Sequence, residues 1–116
     1  MTRVVFSPEA YNDLLELSSE LRQRFGDATS KHVTKRIMSS IEKLNDFPEA
    51  GFDVMKKHGI TCNYRCLITA KNYVFYRIDE DTVLIIRIID QRQDFIKVLF
   101  GADMFASDEK EYWDNI

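Results

Sequence analysis

Residues Tyr64–Phe95 read YRCLITAKNYVFYRIDEDTVLIIRIIDQRQDF, and the rhythm of this stretch decides the fold. Three runs rich in β-branched, aromatic and aliphatic residues, Cys62–Ile68, Tyr73–Ile78 and Val83–Ile89, are separated by TAKN and DEDT. Both connections have turn composition, and the second is short and polar enough to close a hairpin. The pattern predicts an antiparallel three-stranded meander. Side chains alternate between faces along a strand. One face reads Tyr64, Cys66 and Ile68, then Val74, Tyr76 and Ile78, then Leu84, Ile86 and Ile88. It is apolar or aromatic throughout and is expected to pack on helices. The opposite face carries one arginine per strand, Arg65, Arg77 and Arg87, which would gather into a basic surface if the register aligns them.

Upstream, Arg3–Phe6 (RVVF) reads as a first strand. Ser7-Pro8-Glu9 supplies an N-cap, a proline at the first helical position and an acid in the first turn. Tyr11, Leu14, Leu15, Leu17 and Leu21 form a helical stripe to about Phe25, and Gly26 is a natural stop. A second helix begins at Asp27 or Ala28, carries Val33, Ile37, Ile41 and Leu44, and ends at Phe47-Pro48. Pro48–Ile60 reads as a loop with a strand fragment at Phe52–Met55. The fold class is therefore α+β: a strand, a two-helix hairpin, then an antiparallel three-stranded meander, with both helices on one sheet face. At 116 residues the chain is expected to form one domain over 1–101, followed by an acidic extension over 102–116.

The net charge of −3 is unevenly spread. Residues 102–116 hold five acids, Asp103, Asp108, Glu109, Glu111 and Asp114, against Lys110 alone, while the first 101 residues hold fifteen bases and fourteen acids. Between Lys56 and Arg77, the bases Lys56, Lys57, Arg65, Lys71 and Arg77 face no acid in sequence. A local basic surface of this kind suits a nucleic acid or an acidic protein. Cys62 and Cys66 on one strand would lie about 13 Å apart, too far for a disulfide, and are expected to be reduced core residues. Only His58 stands near them, so no metal site is expected, nor any cofactor. No run approaches the ~20 apolar residues of a membrane helix, and the N-terminus lacks a signal-peptide pattern. A cytoplasmic location without membrane contact is the expectation.

VVFSPEAYNDLLEL at the start, the helical hairpin, and YRCLITAKNYVFYRIDEDTVLIIRIIDQRQDFIKVLF at the end together resemble the RelE/ParE superfamily of bacterial type II toxin–antitoxin systems. The resemblance spans about residues 3–100. It implies a growth-arresting toxin held inactive by a cognate antitoxin in a hetero-oligomer, as in plasmid stabilization systems. Its target is either DNA gyrase, as in the ParE-like branch, or mRNA cut on the ribosome without metal, as in the RelE-like branch. A degenerate member that binds antitoxin without toxicity is the third alternative.

For the nuclease, the resemblance places Arg65 and Arg92 as phosphate-stabilising residues, and arginine suits that post because it forks two hydrogen bonds onto phosphate. Cleavage through the 2′-hydroxyl also requires an acid and a base. The nuclease branch carries a tyrosine, often with a histidine, in its C-terminal segment. Here that segment is QDFIKVLFG, where Phe95 can stack but cannot move a proton. His58, beside Lys56 and Lys57, is the remaining candidate. The closing RIIDQRQDFIKVLF looks more like the ParE-like branch, with Lys56, Lys57, Arg77, Arg87 and Phe95 as candidate binding residues. For the tail, the sharper expectation is that Phe105, Tyr112 and Trp113 anchor it over the basic face; the plainer one is a frayed or helical extension packed on the domain.

Overall fold

A computed structural model describes residues 2–101; the acidic extension, with Phe105, Tyr112 and Trp113, lies outside the described residues. The chain enters as β1 (Arg3–Phe6) and turns at once into α1 (Pro8–Phe25). Ser7 makes that turn. Its Oγ accepts a hydrogen bond from the Ala10 N–H at 3.0 Å and donates one to the Ile86 carbonyl at 2.9 Å. One hydroxyl thus caps the helix and ties it to the sheet. Gly26 separates α1 from α2 (Asp27–Glu42). Its φ of +93° lies where a Cβ is strained, and its N–H closes α1 on the Arg22 carbonyl at 3.0 Å.

The second helix is shorter than its periodicity suggests. It tightens into a 3₁₀ turn at Lys43–Asn45, which still seats Leu44 fully in the core. The expected strand fragment at Phe52–Met55 is two elements: β2 (Phe52–Asp53) and a one-turn helix α3 (Val54–His58). Asp53 causes the switch, since its carboxylate accepts the Lys56 N–H at 3.1 Å as an N-cap. The meander follows as β3 (Arg65–Ile68), β4 (Asn72–Asp79) and β5 (Thr82–Asp90). β3 starts later than expected, so Cys62 lies outside it. Both cysteines are free, Cys66 buried and Cys62 half-buried. A further helix, α4 (Phe95–Phe100), has Asp94 as its cap, accepting from Ile96 N and Lys97 N.

The five strands form one sheet in the order β1-β5-β4-β3-β2. β1 runs parallel to β5, with Val4 beside Val83 and Phe6 beside Ile85, and every other pairing is antiparallel. Between β4 and β5 the register slips. Phe75 lies opposite Arg87 but Tyr76 lies opposite Ile85, so Ile86 is an extra residue, a β-bulge.

The sheet is apolar on both sides, and this corrects the face assignment made from parity. α1 and α2 pack on Val74, Tyr76, Val83, Ile85 and Ile88, with Leu67 and Ile78 alongside. The expected helix-facing set is right for β4. It is inverted for β3 and for the first half of β5, where Cys66 and Ile86 point to the other side. There they join Phe75, Ile89, Val54 and Tyr64, with Phe95, Val98 and Leu99 of α4. An apolar face shows only that something covers it; cross-strand register decides which cover it meets.

Candidate functional site

The same register separates the three strand arginines that parity places on one face. Arg65 lies level with Tyr76 at the sheet's outer part, and its side chain is spent on the preceding loop. Nε donates to the Gly51 carbonyl at 3.1 Å and Nη2 to the Glu49 carbonyl at 3.2 Å, with Asp53 at 4.0 Å. Beneath it the Tyr76 hydroxyl donates to the Pro48 carbonyl at 2.7 Å and accepts the Gly51 N–H at 2.9 Å. Burial pushes that hydroxyl's pKa up, while its bond from Gly51 and the neighbouring Arg65 act in the opposite sense. Arg77 is paired to Asp79 at 2.8 Å on the other face.

Arg87 reaches α1. Its Nε and Nη2 grip both oxygens of Asp13, at 2.7 and 3.0 Å. These bonds hold the guanidinium's pKa above its usual value, against the cost of partial burial. The bulge is what aims Arg87 there, and Asp13 Oδ2 also accepts the Ile88 N–H at 3.0 Å. Asp13 is the partner of Arg87 that does not stand out in the sequence. Its only signal is a carboxylate beside Leu14 and Leu15 on an amphipathic helix.

Arg92 comes next along the chain, just past β5. It is 79 % exposed and forks onto Asp90, with Nε to Oδ1 at 3.0 Å and Nη2 to Oδ2 at 2.9 Å. The hydrogen bonds from Arg92 lower the Asp90 pKa below the ordinary carboxylate value. Arg87 and Arg92 border one groove with Glu16, Leu17 and Glu20 of α1. It opens into a larger one, about 660 Å³, between the two long helices and the β3–β4 turn. Leu17, Leu21, Phe25, Val33 and Ile37 give this groove an apolar lining, while Arg24, Arg36, Lys71 and Arg92 bring four cations against Glu20 and Asp90. Lys71 stands out in the sequence only as one of the bases between Lys56 and Arg77, and Arg24 and Arg36 do not stand out at all, because helix and turn place the three together only in three dimensions.

His58 stands on the opposite side of the sheet. Its ring meets Phe95 edge-on at 5.0 Å and Phe52 at 5.9 Å. Lys57 Nζ sits 4.3 Å over the Phe52 ring, a cation–π contact. Lys56 is exposed beside them. The fold thus unites His58, Lys57 and Phe95, and unites Arg87 with Arg92, but keeps the two groups on different faces, while the Arg65 side chain is held by the Glu49 and Gly51 carbonyls. A 2′-hydroxyl cleavage site needs its acid, base and cations around one phosphate, and the candidates at Arg65, Arg92 and His58 do not converge in this way. No helix among the described residues is long and apolar enough to cross a membrane.

Residues 4–95 match the family model described as the ParE toxin of the type II toxin–antitoxin system, parDE. Among solved structures, a chain of the chromosomal ParDE TA system from P. aeruginosa superposes with a TM-score of 0.67 at 15% identity, covering 78% of this chain and 96% of that one. A YoeB/ParE toxin from Agrobacterium tumefaciens gives 0.49 at 22% identity, over 78% of this chain and 99% of the other. A YafQ mutant from E. coli gives 0.45 at 12% identity, over 79% and 96%. No curated protein matches the sequence.

Proposed function

The chain belongs to the ParE toxin family of type II toxin–antitoxin systems, and from that membership we propose that it arrests growth by binding DNA gyrase rather than by cutting RNA. A cognate antitoxin neutralises it in a hetero-oligomeric complex in the cytoplasm. One observation carries the choice of target: the three residues a metal-free nuclease would use are each engaged elsewhere. Arg65 holds two loop carbonyls, Arg92 is forked onto Asp90, and His58 packs on Phe95 across the sheet. Proton transfer requires an acid and a base within hydrogen-bond reach of one substrate. A binding mode requires only a shaped surface, and the groove rimmed by Arg24, Arg36, Lys71 and Arg92 over apolar side chains offers one.

The test compares two assays on the purified protein. With gyrase and plasmid DNA, loss of supercoiling and accumulation of cleaved DNA is the expected result. With translating ribosomes, mRNA is expected to stay intact. Codon-linked cuts in mRNA, abolished by Arg65→Ala or Arg92→Ala, would overturn the proposal in favour of the endoribonuclease. Inactivity in both assays, with unharmed growth on expression, would mark a non-toxic antitoxin-binding member.

A further inference from the structure

The sheet has one thick cover and one thin one. α1 and α2 contribute helices of 18 and 16 residues to the first side. Among the described residues the second side has only α3 and α4, of 5 and 6 residues, and α4 contains no fully buried residue. Cys66, Phe75 and Ile89 lie buried beneath, but Phe52, Tyr64, Ile86 and Leu99 above them are only partly covered. Met55 is 43 % exposed. Apolar side chains gathered in this way mark a surface that another segment covers.

That side is also cationic. Lys56 and Lys57 on α3 and Lys97 on α4 are exposed, and none is in an ion pair among the described residues. The acids nearest in sequence, Asp53 and Asp94, are occupied as helix caps.

Residues 102–116, ADMFASDEKEYWDNI, carry the complementary chemistry: five acids against one lysine, with Phe105, Tyr112 and Trp113. They set out from this same side. The Phe100 ring at the end of α4 stacks on Tyr64 at 5.9 Å, and the Tyr64 carbonyl accepts the N–H of Val54, the first residue of α3, at 3.1 Å. Fifteen extended residues span up to about 50 Å, so reach is ample. The tether also makes the contact intramolecular, so individually weak contacts suffice.

We propose that residues 102–116 dock back onto this second sheet face. Their aromatic side chains cover the half-open apolar layer beside α4, and their carboxylates lie against Lys56, Lys57 and Lys97. The proposal is independent of the toxin's target.

Trp113 is the single tryptophan of the chain, so its fluorescence reads the tail alone. In the full chain its emission is expected to be blue-shifted, and its quenching by acrylamide weaker, relative to the isolated 102–116 peptide. The Lys56→Glu/Lys57→Glu/Lys97→Glu variant is expected to lose both differences. Lys31→Glu/Lys35→Glu on α2 is expected to keep them. High salt is expected to move the wild type toward the peptide, since exposed charges are screened within about 8 Å at physiological ionic strength. Far-UV circular dichroism confirms that the variants fold. A wild-type Trp113 identical to that of the free peptide would overturn the proposal whatever the variants do. Protection untouched by the triple reversal would overturn the chosen face, and protection appearing only at high protein concentration would assign the face to a second copy.

Discussion

Asp13 and Arg87 lock the first helix to the last strand. The carboxylate of Asp13 takes both forks of the Arg87 guanidinium, at 2.7 and 3.0 Å, and also the Ile88 N–H at 3.0 Å. The pair bridges 74 residues of sequence at the β-bulge, and only 11 % of the Asp13 side chain is exposed. Asp13→Ala leaves a guanidinium and a backbone N–H without their acceptor. Hydrogen bonds to charged groups contribute about 1.5–3 kcal/mol each way they are broken, so a loss of about 2 kcal/mol of unfolding free energy in urea is expected. A loss below about 0.5 kcal/mol would class the pair with exposed surface bridges.

Gly51 and Tyr76 form a second lock. A Cβ on Gly51 would sit 2.6 Å from the Cys66 carbonyl oxygen and 2.8 Å from the Tyr76 hydroxyl. Gly51→Ala is expected to destabilise by about 1–3 kcal/mol through overpacking. Tyr76→Phe strands the Gly51 N–H and the Pro48 carbonyl and is expected to cost about 1–3 kcal/mol. Because the two substitutions disturb one contact, their double mutant should be less destabilised than the sum of the singles. Additive effects in chemical denaturation would show that the contact is not shared.

Arg92 governs behaviour in acid. Its hydrogen bonds depress the Asp90 pKa, so the carboxylate adds stability that is present above the ordinary Asp value of about 3.9 and is lost as pH falls through the depressed one. Arg92→Ala removes the main cause of that depression. Wild type and variant should therefore differ in thermal midpoint at pH 7 and converge as pH falls below the depressed Asp90 value. A gap that stays constant across that range would mean the stabilisation does not come from ionised Asp90.

The two thiols should react differently. Burial pushes the Cys66 thiol up to about 12, with Lys57 and the Val74 backbone pulling weakly the other way. The thiolate is the reactive form, so Cys66 is inert at pH 8 in the folded chain, whereas Cys62 is half-exposed. A disulfide-exchange reagent should titrate one thiol in native protein and two after denaturation. The raised value also sets a sign: the stability it reflects is whole below the unfolded-state value of about 8.5 and is lost as pH rises toward 12. Two thiols reacting at equal rates in native protein would contradict the buried position of Cys66.

The sequence made some parts of this molecule legible and hid others for definite reasons. Ser7-Pro8 and Gly26 mark the boundaries of α1 because capping chemistry is local, and the meander shows through its turns. α3 and α4 were hidden because each is about one turn long, too short for a period to show, although Asp53 and Asp94 each offered a cap. The arginines were misplaced for two reasons of register: Arg65 falls opposite Tyr76, which sets it on the face away from Arg77, and a single extra residue, Ile86, reverses parity within β5, since a one-residue slip moves every later side chain to the other face. His58 and Phe95 meet across 36 intervening positions by tertiary packing alone.

The parallel pairing of β1 with β5 sets the order in which the molecule can come into being. Residues 3–6 are made before residues 82–85, their only strand partner among the described residues. The Ser7 hydroxyl can cap α1 locally, but its tie to the sheet waits on the Ile86 carbonyl. The helical hairpin can form early, but its apolar stripe has no sheet to rest on until the meander is made. Non-local pairings of this kind slow folding and leave apolar surface open in the interval. A chain that has not yet made β5 is therefore not a weaker version of the fold but an incomplete shape, with neither side of the sheet assembled.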